Sequence, residues 1–103
     1  MSQEHTQCGC PRQKRTPRDA EELKKLKARL NRMVGQLNGI GRMLDENRYC
    51  GDILIQIAAV EKALQNFGYI VLREHMNSCV AEDVRAGSTA AMDEAVELMK
   101  QLK

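Results

Sequence analysis

The sequence predicts an all-α protein, and three observations carry that prediction. Of its 103 residues, 43% are hydrophobic but only 3% are aromatic, so the core would be built from aliphatic residues that favour helices. In the first half, apolar residues recur in alternating steps of three and four, at Leu23, Leu26, Leu30, Met33, Leu37, Ile40 and Leu44. The second half repeats these steps at Cys50, Ile53, Ile57, Val60, Leu64, Phe67 and Val71. This period is typical of a helical seam, and no stretch of any length alternates as a strand would.

The helical region is predicted to begin near Thr16. Residues 1–15 are polar and lack an apolar period, so we expect a flexible N-terminal tail followed by one helical domain over residues 16–103. Thr16 is suited to cap a helix, and Pro17 is suited to its first position. The first helix is therefore expected to run from Pro17 to Asp45.

Two further helices are expected after the first. The second apolar series begins at Cys50, and its helix should reach about Arg85, before Gly87. Gly87 is suited to stop that helix and Ser88 to cap a third, short one. The apolar face of the third helix would comprise Ala91, Ala95, Leu98 and Leu102. A protomer of two long helices and one short helix has a modest core, which favours oligomerisation.

Basic residues are concentrated near the N-terminus. Residues 12–32 contain nine basic and three acidic residues, a net charge of +6, whereas residues 33–103 carry −3. This asymmetry suits a polyanionic partner, although a solvated helix face would give the same pattern. The N-terminus lacks the apolar stretch of a signal peptide, and no apolar run is long enough to span a membrane. We therefore expect a cytoplasmic protein with no membrane partner, whose four cysteines are thiols.

His75 and Cys79 are the first candidates for a metal site. On a helix, residues four apart lie on one face about one turn apart. The nearest further thiol in the helical region is Cys50, 25 residues before His75. In a continuous helix those residues are about 37 Å apart along the axis, so one chain could not bring them to one ion unless the helix broke at Gly68. Two copies of the second helix packed antiparallel would bring Cys50 of one chain near the other two residues.

This donor set of two thiolates and one imidazole suits a soft metal. Thiolates select Cu(I), Zn(II) or iron–sulfur clusters. A structural zinc site requires four ligands, so a three-ligand set with two sulfurs favours trigonal Cu(I). The alternative is that Cys50, placed in an apolar seam, is a small buried hydrophobic residue.

One segment and one spacing resemble a known family. The segment "RLNRMVGQLNGIGRMLDENRYC", with Cys50, His75 and Cys79 at these intervals, looks like the copper-sensitive operon repressor family over residues 20–102. The resemblance implies three-helix protomers, paired antiparallel into a dimer with a four-helix core, and a dimer of dimers. It also implies a transcriptional repressor that holds operator DNA when metal-free. Cu(I) bound by Cys50 of one subunit and by His75 and Cys79 of another would lower DNA affinity and derepress copper-resistance or efflux genes.

The resemblance also assigns supporting residues. Tyr49, just before the first ligand, and a glutamate of the third helix would surround the metal site. Glu94 is our choice for that glutamate, with Glu97 as the alternative. Basic residues on the first two helices would contact DNA, and here these are Arg29, Arg32 and Arg73, with Lys24, Lys25 and Lys27 adding phosphate contacts.

Several alternatives stay open at this point. His5, Cys8 and Cys10 in the tail would suit an accessory Cu(I) site, although we favour a flexible tail without a metal role. A repressor that senses sulfur species or persulfides through Cys50 and Cys79 is the first competing function, and His75 argues against it. A copper-storage protein is the second, and the basic segment argues against that one. We do not expect an enzyme, because neither a general-base constellation nor a phosphate-binding loop is evident.

Overall fold

The computed structural model describes Lys14 and residues 16–102, and all regular structure in that part of the chain is helical. Helix α1 spans Ala20–Asp45 and helix α2 spans Cys50–His75. A π-helical turn follows at Met76–Val80, then helix α3 at Ala81–Arg85 and helix α4 at Ala90–Met99. The predicted all-α class is confirmed. None of these helices is both long enough and apolar enough to cross a bilayer.

The start of α1 differs from its prediction. The helix begins at Ala20, and its N-cap is Asp19, whose carboxylate accepts a hydrogen bond from the backbone N–H of Glu22 at 2.7 Å. Thr16 and Pro17 precede the helix and do not start it. A carboxylate at the N-cap both satisfies a free N–H and complements the helix dipole, so Asp19 is a stronger start signal than Thr16. The predicted end at Asp45 is confirmed.

The second predicted helix has a more complex structure than its sequence period indicates. It begins at Cys50 and reaches Arg85 as expected, but it changes from α to π winding over Met76–Val80. The hydroxyl of Ser78 donates a hydrogen bond to the backbone oxygen of Glu74 at 2.8 Å. A serine that bonds back to the carbonyl four residues earlier competes with the regular ladder and often bends a helix. Gly87 ends the helical path with a φ of +92°, as predicted.

Gly68 does not break α2. The helix continues through this residue, and a Cβ added there would lie 2.8 Å from Cδ2 of Leu102. The Tyr69 hydroxyl also donates a hydrogen bond to the backbone oxygen of Leu102 at 2.9 Å. The glycine therefore allows the end of the chain to approach α2 closely.

Helix α4 is capped by residues from its own loop and from α3. The N-cap is Thr89, one residue later than predicted, and Ser88 accepts a hydrogen bond from the Ala90 N–H at 3.1 Å. The buried Asp83 carboxylate accepts from the Ala91 N–H at 2.9 Å. The free N–H groups of the first turn are thus shared between a local hydroxyl and a more distant carboxylate.

The chain divides into two compact units: Asp19–Phe67 forms one, and Gly68 onward, together with Arg18 and the described residues before it, forms the other. In the unit Asp19–Phe67, the buried residues are Leu26, Met33, Ile53 and Val60, all of which belong to the predicted apolar series. In the other unit, the core consists of Cys79, Val80, Ala91 and Ala95, with Met76 packed against it. The two alanines of α4 are fully buried, so small side chains let α4 lie close to the π-helical turn.

The apolar series on α1 and α2 are only partly buried within one chain. Leu23, Leu30, Leu37 and Leu44 of α1 are exposed, as are Leu54, Ile55, Ile57 and Leu64 of α2. Soluble monomers rarely expose contiguous apolar surface on this scale.

The cap formed by Asp83 gives a stability prediction. Replacing Asp83 by Ala should lower the free energy of unfolding by about 1–2 kcal/mol, because a buried N–H of α4 loses its acceptor. Urea unfolding at fixed protein concentration measures the change. Asp83→Asn, which keeps an acceptor oxygen, should lose less. Asp93→Ala is the matched control because Asp93 is exposed on the same helix. Equal effects of the two alanine variants would contradict this role.

Candidate metal centre

Two of the predicted ligands belong to one turn. His75 is the last residue of α2, and Cys79 lies in the π-helical turn that follows. Four residues is close to one turn in either winding, so both side chains leave the helix on similar sides. Cys79 is a free, buried thiol in the core beside α4. The π winding, which frequently occurs at functional sites, was not predicted from the sequence.

The imidazole of His75 has an unused ring nitrogen. Its Nε2 atom is buried and has no hydrogen-bond partner in the structure. Buried polar atoms are nearly always paired, and one that is not requires an explanation. A neutral imidazole nitrogen is also a common metal ligand, so this atom is suited to coordinate a metal ion.

The third predicted ligand, Cys50, is the first residue of α2. Its thiol is free, and its side chain is exposed in the single chain, as are Ile57 and Leu64 of the same apolar series. The preceding residue, Tyr49, is also exposed, and its ring lies over Gly51, where an added Cβ would be only 2.5 Å from the ring. The glycine leaves room for this aromatic ring.

One chain does not assemble the three ligands. The described residues contain no group of three or more His, Cys, Asp or Glu side chains placed to hold a metal ion. Helix α2 begins at Cys50 and ends at His75, and 25 residues of α-helix rise about 37 Å. His5, Cys8 and Cys10, the predicted accessory ligands, lie outside the described residues.

Two contacts join residues near the N-terminus to the turn from Glu74 to Cys79, which contains two proposed ligands and is called the metal-ligand turn below. The Nε atom of Arg18 donates a hydrogen bond to Oε1 of Glu74 at 2.8 Å. The Nη2 atom of the same guanidinium forms an ion pair with that oxygen at 2.7 Å. The Lys14 ammonium donates to the Ser78 hydroxyl at 2.9 Å. Sequence reasoning missed both contacts because the partners are 56 and 64 residues apart. Only Ser78, placed four residues after Glu74, carries a local signal.

The two candidate glutamates of α4 differ in environment. Glu94 is half-buried, whereas Glu97 is exposed and pairs with Lys100 at 3.2 Å on the same helix. The ion pair of Glu97 is of the surface kind that contributes little to stability.

The predicted DNA-contacting residues are all at the surface. Lys24, Lys25, Lys27, Arg29, Arg32 and Arg73 are exposed, and none forms an ion pair with another described residue. Lys25, Arg29 and Arg32 follow one another at intervals of four and three, so they share one face of α1. We call these three residues the basic stripe. Cations that lack acidic partners remain available for a polyanion.

A thiol and an imidazole in one turn, with a basic stripe on another helix, are features expected of a metal-responsive regulator that binds DNA. Comparison with known families agrees with this class, because residues 22–101 match the family model described as metal-sensitive transcriptional repressor. The chain belongs to that family, which is regulatory. The expected likeness to the copper-sensitive operon repressors is confirmed.

The named relatives are copper sensors. The copper-sensing transcriptional repressor CsoR of Bacillus subtilis is 35% identical over 85 residues, which is 82% of this chain and 84% of the relative. The copper-sensing repressor RicR of Mycobacterium tuberculosis is 44% identical over 63 residues, or 61% and 66% of the two chains. The crystal structure of CsoR with Cu(I) from Geobacillus thermodenitrificans matches with a TM-score of 0.79 and 41% identity, covering 84% of this chain and 91% of the other.

Proposed function

We propose that this protein is a Cu(I)-responsive transcriptional repressor. The metal-free form binds operator DNA, and Cu(I) lowers its DNA affinity, so that copper-resistance or efflux genes are expressed. The observation that carries the proposal is the buried, unpartnered Nε2 of His75 one turn from the buried thiol of Cys79. The family and the copper-sensing relatives support it.

The copper site is formed between two subunits. At about 3.6 residues per turn, the 25 residues from Cys50 to His75 return to within about 20° of the same face of α2. One ligand therefore lies at each end of one helix face. Two α2 helices packed antiparallel along that face place Cys50 of one subunit near His75 and Cys79 of its partner, and the two-fold axis produces two equal sites.

The exposed apolar residues of α2 support this pairing. Leu54, Ile57 and Leu64 are exposed in one chain and lie within about 40° of the Cys50 direction. Their burial in a homodimer would remove apolar surface from water, and each buried side chain contributes about 1.5–3 kcal/mol. The exposed leucines of α1 give the dimer further apolar surface, which supports a homotetramer as its final assembly.

The donor set suits Cu(I) in particular. Thiolates and imidazole are soft to borderline ligands, and when bound the soft ion supplies a centre that draws three side chains together. The chain supplies Cys50 from the exposed start of α2, and the other two ligands from the packed turn. Tyr49 beside Cys50, and Glu94 on α4, are the residues we assign to the surroundings of the site.

The first test combines copper binding with operator binding. The reduced protein should bind one Cu(I) per chain, and X-ray absorption should report two sulfurs and one nitrogen around the copper. Cu(I) should raise the operator Kd in the wild type but not in Cys50→Ala, His75→Ala or Cys79→Ala, because each removes a ligand. The Cys8→Ser/Cys10→Ser variant is the control and should behave as wild type.

Two other results would contradict the proposed copper site. Copper binding that survives Cys50→Ala and disappears in the Cys8→Ser/Cys10→Ser variant would move the metal to residues near the N-terminus. Operator release by a persulfide reagent, with no release by Cu(I), would favour sulfur sensing through Cys50 and Cys79.

A mixed dimer tests whether the site lies between subunits. Cys50→Ala and His75→Ala/Cys79→Ala proteins should each lose the site, but unfolding and refolding them together should restore copper binding. The recovery should approach about one quarter of full stoichiometry, because about half of the randomly paired dimers are mixed and each has one complete site of two. No recovery, with mixed dimers shown to be present, would indicate a site within one chain.

The basic stripe gives a prediction for DNA binding. Changing Lys25, Arg29 and Arg32 to Gln should weaken binding to operator and non-operator DNA alike, because phosphate contacts carry little sequence information. The slope of log affinity against log salt should fall by about 1 for each phosphate contact removed. The control is Lys100→Gln on α4. An unchanged salt slope in the triple variant would show that the stripe does not contact DNA.

A further inference from the structure

We propose that Arg18 and Glu74 are positioning residues that couple the metal-ligand turn to DNA binding. We call the Arg18–Glu74 ion pair and the Lys14–Ser78 hydrogen bond the docking contacts. This inference rests on the proposed function, because it concerns how the copper site would change operator affinity. Neither residue contacts the metal in our assignment, and both act through their neighbours.

The positions of the docking contacts in the chain are the first argument. Glu74 immediately precedes His75, and Ser78 immediately precedes Cys79. Each contact therefore holds the backbone one residue away from a proposed ligand. A change in the backbone of this turn, made when both ligands converge on one ion, reaches Arg18 and Lys14 directly.

The strength of the ion pair is the second argument. The Arg18 side chain is 30% exposed and the Glu74 side chain 12%, so water and salt screen this pair less than a surface pair. Both guanidinium contacts converge on Oε1, and the other carboxylate oxygen of Glu74 is buried with no hydrogen-bond partner. Removing Arg18 would leave a buried carboxylate without this partner, which is costly.

The third argument is the basic segment that the docking contacts hold. Lys14 and Arg18 both belong to the basic residues of segment 12–32, and each forms one of the docking contacts. A basic segment that is already fixed loses less conformational entropy when it binds DNA than a free one. The docking contacts therefore favour high operator affinity. Cu(I) binding then weakens them, and linkage requires that operator binding in turn weakens Cu(I) binding by the same factor.

The test uses a double-mutant cycle of Arg18→Gln and Glu74→Gln in the full-length protein. Operator Kd is measured with and without Cu(I), and the ratio of the two Kd values reports the coupling. In the metal-free protein, the rate of trypsin cleavage after Lys14 reports whether the docking contacts hold this segment, and this measurement needs no metal. Arg18→Lys is the conservative variant. Glu46→Gln is the matched control, because it makes the same charge change as Glu74→Gln in a surface ion pair, that of Glu46 with Arg48.

We expect each single variant to lower the Kd ratio by at least about fivefold, the lower end of ordinary allosteric coupling. The double variant should lower it no further, because both changes break one contact. Cleavage after Lys14 should be faster in Glu74→Gln than in wild type. Arg18→Lys should keep most of the ratio, and Glu46→Gln should leave both readouts unchanged. Cu(I) stoichiometry should stay at one per chain throughout.

These readouts separate coupling from simpler roles. Arg18→Gln and Glu74→Gln change the net charge in opposite directions, so a shared fall in the Kd ratio cannot come from charge alone. An unchanged ratio in both variants, or the loss of Cu(I) binding in Arg18→Gln, would overturn this inference while leaving the proposed function in place. A wild-type protein that keeps its operator affinity with Cu(I) bound would overturn both.

Discussion

The length of α2 is the constraint on which the proposed site depends. An uninterrupted helix holds Cys50 at its start and His75 at its end, so the ligands of one chain are kept apart by their own backbone hydrogen bonds. The unpartnered nitrogen of His75 is therefore left for a ligand set that the chain does not complete alone. In the site that we propose, a second copy would supply the missing thiol, and metal binding would then depend on assembly.

The same constraint accounts for the distribution of apolar surface. Helix α1 and the first part of α2 bury only four large apolar side chains, Leu26, Met33, Ile53 and Val60, although the apolar series are much longer. The residual exposed leucines and isoleucines are costly in a monomer and useful in an assembly. If these apolar faces are buried in the proposed oligomer, one interface contributes both to the stability of the protein and to its proposed sensing chemistry.

Sequence periodicity predicted the features that depend on repeated local signals. The end of α1 at Asp45, the start of α2 at Cys50 and the stop at Gly87 all follow from apolar spacing or from a residue tolerant of positive φ. The start of α1 was wrong because Asp19 outcompetes Thr16 as a cap. The π winding occurs where the Ser78 hydroxyl bonds back to the Glu74 carbonyl, and a period of apolar residues carries no information about such a bond.

The docking contacts were beyond sequence reasoning for a different reason. Arg18 and Glu74 are far apart in the chain, and an exposed-looking arginine has many possible partners until the fold selects one. In the structure this arginine pairs with Glu74, which immediately precedes His75, a proposed ligand. A ligand shifts an equilibrium only by its differential affinity for the two states. In the proposed site, copper would act through contacts whose strength depends on the geometry of the turn, and we propose the docking contacts for that role because each lies one residue from a proposed ligand.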